Sequence, residues 1–96
     1  MPKGYWIGHV DVTDPENYPQ YIAADNPIFE AWNAKFLVRG GPFEAPEGPM
    51  RSRHVVIEFE SYDKALACYH SPEYQAAAKL RQAYSDSDIM IIQGVD

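Results

Sequence analysis

One cysteine in 96 residues excludes an internal disulfide and any metal centre built from several thiolates. Basic charge is also scarce: 8 Lys and Arg stand against 14 Asp and Glu, a formal net charge of −6. No basic cluster offsets that balance, so phosphate backbones are repelled and nucleic acid is not an expected partner. No apolar run approaches the ~20 residues of a membrane span, so no membrane association is expected either. The chain enters its first strand without an apolar leader, which points to a cytoplasmic protein. Phosphate loops, dinucleotide fingerprints and a Ser-His-Asp arrangement are absent. Hydrolase, nucleotide and nicotinamide chemistry therefore leave the front rank.

Aromatic residues are what the sequence has in excess, with 7 Tyr, 4 Phe and 2 Trp. That is more than a small core requires, so some should line a pocket or an interface. The lone Cys68 reads as a small buried apolar side chain in a helix.

The stretch from Gly4 to Val12 organises the rest. It alternates Trp6, Gly8, Val10 and Val12 on an apolar face with Tyr5, Ile7, His9 and Asp11 on a mixed one, the period of a β-strand. Asp14 and Pro15 then resemble an N-cap and first helical residue. The helix should run toward Trp32 with a stripe of Tyr18, Tyr21, Ile22, Ile28, Phe29 and Trp32, interrupted near Asp25. Pro19 should remove one bond near its start, and Pro27 should kink or break it. Asn33 should end it in the left-handed conformation, followed by a strand over Lys35 to Arg39.

Gly40 and Gly41 close that strand, and the proline-rich segment to Met50 reads as a connecting loop whose Phe43 and Met50 need a contact. Ser52 to Glu60 is the strongest strand, with Val55, Ile57 and Phe59 opposite His54, Val56 and Glu58. Ser61 should cap a helix from Tyr62 to about Tyr69, and Ser71 a second one opening at Pro72. A turn over Ser85, Asp86 and Ser87 should lead into a last strand from Asp88 to Val95.

The order strand, helix, strand, strand, helix pair, strand gives a ferredoxin-like βαββαβ fold of the α+β class. It is a four-stranded antiparallel sheet with helices on one face, in a single domain over residues 1–96. Tyr5, Ile7, Val56, Met90 and Ile92 would leave a large apolar patch on the bare face. A second copy packed sheet to sheet would hide it, so a homodimer is expected.

Gly4-Tyr-Trp-Ile, Asp14-Pro15-Glu16, Phe36-Leu-Val-Arg-Gly-Gly41, Val55-Val-Ile-Glu-Phe59 and Ser71-Pro-Glu-Tyr-Gln75 resemble the bacterial domain of unknown function 1330. That family lies within the dimeric α+β barrel superfamily. The resemblance spans essentially the whole chain and implies a homodimer whose two sheets form a barrel. Relatives in the superfamily include cofactor-free monooxygenases, lactone isomerases and haem-handling enzymes, and ligands often sit between sheet and helices. It assigns no catalytic residue.

His9 and His54 lie on the non-helical faces of the two central strands, where neighbouring strands bring opposite residues within about 5 Å. An imidazole there could shuttle a proton, or could simply be hydrogen-bonded inside an interface. Glu58 lies about 13 Å along the strand from His54, at another level. No tight ligand spacing supports a metal site, and no cofactor is called for. Arg39, just before two glycines, could clamp a carboxylate in bidentate fashion, or pair with Asp88 or Glu58. Trp6, Tyr21 and Trp32 could wall a cleft between sheet and helix, or be plain core aromatics. His70 reads as a surface or capping residue.

The residues suggest a small-molecule binder in which His9, His54 and Arg39 carry any catalysis, and the resemblance implies cofactor-independent oxygenation or isomerisation as its form. Trp6, Tyr21, Trp32 and Arg39 would bind the ligand. A non-catalytic ligand-binding or structural dimer is the alternative.

Overall fold

The computed structural model describes residues 2–96. In chain order it contains β1 (Gly4–Val12), α1 (Tyr18–Ala31), β2 (Lys35–Arg39), β3 (Arg53–Phe59), α2 (Tyr62–His70), α3 (Pro72–Tyr84) and β4 (Ser85–Gln93). The strands form one antiparallel sheet in the order β2-β3-β1-β4. This is the ferredoxin-like arrangement expected, with β1 and β3 in the middle.

Alternation along the strands decides which face the helices cover. Trp6, Gly8 and Val10 of β1 are buried while Tyr5, Ile7 and His9 between them are half-buried. On β3, Ile57 and Phe59 join the covered face. The other face carries Met90 and Ile92 of β4, still 47% and 43% exposed. No second layer covers it in the single chain.

Trp6 is the centre of the core. Its ring meets Phe29 of α1 edge-on at 5.1 Å between centroids, Tyr74 of α3 at 4.7 Å and Tyr69 of α2 at 5.6 Å. Its Nε1 donates to the Ala65 carbonyl at 2.8 Å. One indole therefore touches all three helices, and its buried nitrogen has the partner that burial demands. Cys68 is fully buried among them, as expected, and burial pushes its thiol up to about 12.

Three local expectations change. The first helix begins at Tyr18, a turn later than Asp14 suggested. Asp14 instead accepts from the Asn17 backbone at 3.2 Å and from its side chain at 2.8 Å, organising the turn before the helix. Pro19 consequently falls within the first two helical positions, where its missing donor is one the helix would leave unpaired anyway. Pro27 does not break α1, which continues to Ala31. The carbonyl it deprives of a donor belongs to Ala23, and both residues are exposed, so water can take the place of the lost bond. The turn expected at 85–87 is absent. Ser85 already pairs with Val12 in the sheet, and its hydroxyl donates back to the Arg81 carbonyl at 2.5 Å, closing α3 as the strand begins.

The other helix and strand signals translate directly. Asn33 has φ 56° and stops α1. Ser61 and Ser71 accept from the backbone of Lys64 and Tyr74. Ser71 also donates to the Cys68 carbonyl at 2.7 Å, so one hydroxyl ends α2 and starts α3.

Gly4 is required by close approach. A Cβ there would lie 2.5 Å from the Ser61 carbonyl oxygen and 2.6 Å from Tyr62 Cα, both backbone atoms with little room to move. Gly4→Ala should cost roughly 1–3 kcal/mol by overpacking, measured as a lower urea midpoint at unchanged slope. An unaltered midpoint would mean that α2 shifts freely on β1.

Candidate functional site

The buried side of α1 places Tyr18, Tyr21, Asp25 and Phe29 in one line, three or four residues apart. Asp25 stands where the stripe calls for an apolar residue. It is only 4% exposed, and its Oδ1 has no hydrogen-bond partner among the described residues. The facing stripe of α3, Tyr74, Ala77, Ala78 and Arg81, repeats the pattern with a guanidinium at its end, 5% exposed. Both intruders border a cavity of about 30 Å³ between the helices and the sheet. That is room for one or two water molecules.

A polar chain crosses this cavity. Arg81 donates from Nε to the Ser87 hydroxyl at 3.1 Å and from Nη1 to the Tyr74 hydroxyl at 2.5 Å. The Tyr74 hydroxyl in turn meets that of Tyr21 at 2.7 Å. A guanidinium can only donate, so the Tyr74 oxygen accepts from Arg81 and its own proton is available for Tyr21. In that order the Tyr21 proton is left for whatever lies beside it in the cavity. Burial alone would pull the Arg81 pKa down, and the surrounding tyrosine hydroxyls more than offset it. Burial raises both phenols, that of Tyr21 well above its ordinary range.

Asp25 is shifted in the same sense. Burial pushes its carboxyl up to about 6, while the Tyr21 hydroxyl and the Arg39 and Arg53 guanidiniums pull the other way. These two arginines come from the ends of β2 and β3 and line the same cavity as Arg81. Arg39 is exposed at the mouth, held by a 2.8 Å bond from Nη2 to the Asn26 side-chain oxygen and by its guanidinium 4.1 Å over the Phe36 ring. The ion pairs expected for it do not form: Asp88 binds Arg51, which also binds Asp11, and Glu58 accepts from the Tyr5 hydroxyl. The floor beneath is Gly8, where a Cβ would come within 2.9 Å of Val55 Cγ2 and 3.1 Å of Ile89 Cδ1. Its missing side chain keeps the cavity open.

The residues singled out from sequence divide between two places. Trp6, Tyr21 and Arg39 border the cavity. His9 and His54 pair across β1 and β3 on the opposite face of the sheet, so they cannot reach a ligand held by Arg39 and Tyr21. Their Nδ1 atoms lie 2.7 Å apart, so that one ring donates its proton to the other, and the Phe43 ring covers His54 edge-on at 4.4 Å. Trp32 does not border the cavity. It is half-buried at the end of α1, in a surface groove with Pro27, Ile28, Ala31 and Glu73. His70 is exposed in the last turn of α2. Among the described residues no group of three or more His, Cys, Asp or Glu could hold a metal ion, and no helix is long and apolar enough to cross a membrane.

Asp25, Arg53, Tyr74 and Arg81 are the site residues that the sequence reading passed over. The signal for two of them was the break in pattern. A carboxylate at position 25 and a guanidinium at position 81 each occupy a buried register of an amphipathic helix.

A four-stranded antiparallel sheet with three helices on one face defines a ferredoxin-like α+β protein. The model of the domain of unknown function (DUF1330) matches residues 3–95, and the chain belongs to that family. Among solved structures, a protein of unknown function from Rhodopseudomonas palustris is similar at 21% identity with a TM-score of 0.78, over 99% of this chain and 84% of its own. SnoaB, a cofactor-independent oxygenase from Streptomyces nogalater, is similar at 13% identity and TM-score 0.66, over 100% and 96%. A dimeric ferredoxin-like protein of unknown function from Thermobifida fusca follows at 17% and 0.64, over 96% and 91%. Likenesses at these identities carry the fold and no activity. Among curated proteins none matches the chain.

The raised Asp25 carboxyl makes a stability prediction. Its folded value of about 6 lies above the ordinary 3.8, so the native state holds this proton more tightly than the unfolded chain does. Stability from this group is greatest at low pH and is lost as pH rises from about 4 to about 6, by at most about 3 kcal/mol. Asp25→Asn cannot ionise. Its urea-unfolding free energy minus that of the wild type should therefore grow by about 2 kcal/mol between pH 4.5 and pH 7.5. Taking the difference cancels the opposite trend from Asp11 and Asp14, whose hydrogen bonds hold them low. An equal difference at both pH values would mean that Asp25 is not buried as described.

Proposed function

We propose that the protein is a homodimer whose subunits each bind a small organic anion, aromatic or carboxylated, in the cleft between α1, α3 and the sheet. The observation that carries this reading is the convergence of Arg39, Arg53 and Arg81 on one cavity in a chain of net charge −6. A single buried carboxylate, that of Asp25, faces them. Guanidiniums gathered beside Trp6, Phe29 and Phe36 suit a ligand with a carboxylate at one end and a flat apolar body at the other. A ligand larger than water would take its space from the mouth, by displacing the exposed Arg39, and not from the packed aromatic base. The fold shared with a cofactor-independent oxygenase supports a site whose chemistry comes from the chain's own side chains, without a resident cofactor.

The dimer reading rests on the bare sheet face. Leu37, Val38, Phe43, Met90 and Ile92 are each more than 40% exposed. An apolar surface of this kind on a small chain calls for a partner, and the fold shared with a dimeric protein supports a second copy. We assign His9 and His54 to that interface, where their hydrogen bond joins β1 to β3 beneath the partner, and not to the ligand cleft.

Two measurements separate these assignments. Calorimetric titration with phenylacetate should show saturable binding that Arg39→Ala and Arg53→Ala each weaken at least ~10-fold, the scale of a charge-assisted pair. Binding unchanged in both variants would remove the anion site. In sedimentation velocity at micromolar concentration the wild type should run as a dimer, and Met90→Lys should shift it to monomer while phenylacetate binding persists. A wild-type monomer would end the interface assignment.

A further inference from the structure

We propose that the cleft is built for enolisation, with Asp25 as the general base and the Tyr21 hydroxyl, backed by Tyr74 and Arg81, as the donor to the developing enolate oxygen. This rests on the anion-binding reading of the same cleft and names its substrate class: a carbonyl compound with a removable hydrogen on the adjacent carbon and a carboxylate for Arg39 and Arg53.

The geometry argues for it at each group. Asp25 Oδ1 is buried, borders the cavity and is committed to no donor among the described residues. Buried carboxylate oxygens normally find partners, so one left without a donor on a residue that lines the cavity is available for a ligand hydrogen. Tyr21 lies one helical turn earlier on the same buried face of α1, which sets acceptor and donor side by side. Behind Tyr21, the hydroxyl of Tyr74 and the guanidinium of Arg81 form a chain of bonds that pass positive charge toward the phenol. A hydroxyl polarised in this way stabilises an oxyanion without surrendering its proton. Ketosteroid isomerase pairs a carboxylate base with a tyrosine donor to the same end. The carboxyl value of about 6 suits the task, since Asp25 is mostly ionised at neutral pH yet basic enough to take a proton. The groups that face it are Tyr18 and Tyr21 on its own helix, Arg39 of β2 and Arg53 of β3, with Tyr74 and Arg81 of α3 behind Tyr21.

The step balances without an oxidant. Asp25 Oδ1 takes the proton from the carbon next to the carbonyl, and the electron pair of that C–H bond becomes the new C=C bond. The carbonyl π pair moves onto oxygen, where the Tyr21 hydroxyl receives it. Return of the proton to oxygen or to carbon completes a tautomerisation, and substrate and product have the same composition.

Phenylpyruvate is a suitable probe because it carries an aromatic ring, a carboxylate and exchangeable benzylic hydrogens beside its keto group. With the full-length protein in D2O at pD 7, proton NMR should show loss of those hydrogens at least ~100-fold faster than in buffer alone, the scale of a positioned base. Asp25→Asn should bind phenylpyruvate within about threefold of wild type by calorimetry and lose that acceleration. Tyr21→Phe should lose roughly 10- to 100-fold while keeping the native circular dichroism. The wild-type exchange rate should rise with pH through about 6 and level off above it. Should Asp25→Asn fail to fold, the Tyr21→Phe loss and the wild-type pH profile decide. Saturable binding without accelerated exchange, or exchange in Asp25→Asn as fast as in wild type, would overturn the enolisation and leave the anion site standing. No binding of phenylpyruvate at millimolar concentration would overturn both.

Discussion

The packing of Trp6 is the constraint on which the other parts depend. The indole sits 2% exposed near the start of β1, one of the two central strands, and burying it contributes roughly 5 kcal/mol of apolar transfer. Its edges fix Phe29 and Tyr74 at 5.1 and 4.7 Å between ring centroids, and so fix the two long helices relative to each other. The Tyr21 and Tyr74 hydroxyls can then meet at 2.7 Å, since one belongs to each helix. A core built from large amphipathic rings closes with their polar tips turned inward to one place. The cleft is what remains where those tips gather.

Placing ionisable groups in that space is costly. A carboxyl without a complete set of partners raises its pKa instead of bearing an uncompensated charge, and Asp25 does so. The guanidinium of Arg81 stays charged because tyrosine and serine oxygens surround it. A fold held mainly by aromatic packing can accommodate one such strained group, and the strain is concentrated where a ligand could relieve it. The opposite face of the sheet handles polarity differently. There the Nδ1 atoms of His9 and His54 meet across the strands while His54 Nε2 is buried with no partner among the described residues, and Arg51 ties Asp11 to Asp88 at the margin. Apart from that one nitrogen these groups find partners on or beside the sheet, as the proposed interface requires.

Much of the fold was legible in the residues because its signals are local. The alternation from Gly4 to Val12 marks one face of β1 for burial, and Asn33 in the left-handed region stops α1 at the expected position. Ser71 followed by Pro72 starts α3 as its sequence announces. The failures were local too, at Asp14, Pro27 and Ser85. Whether a proline breaks a helix depends on whether water can reach the carbonyl it strands, and that follows from which side of α1 the core lies on. Ser85 reads as a turn residue until β1 is seen beside it, offering a strand to pair with.

The candidate site was half legible. Tyr21 and Arg39 were identified as lining residues, but they were joined to histidines that lie across the sheet, because a period of 2 says that two side chains share a face and not which face the helices choose. Asp25 and Arg81 were visible only as interruptions in apolar stripes. Their meaning came from α1 and α3 lying on the same sheet, about fifty residues apart in the chain. The sequence by itself determined the elements, their order and the side of each that would be buried, since backbone propensity and hydrophobic periodicity act over a few residues. Tertiary structure alone decided that a carboxylate, two phenols and three guanidiniums would face one cavity, since convergence across elements is set by how the helices seat on Trp6 and leaves no trace in local spacing.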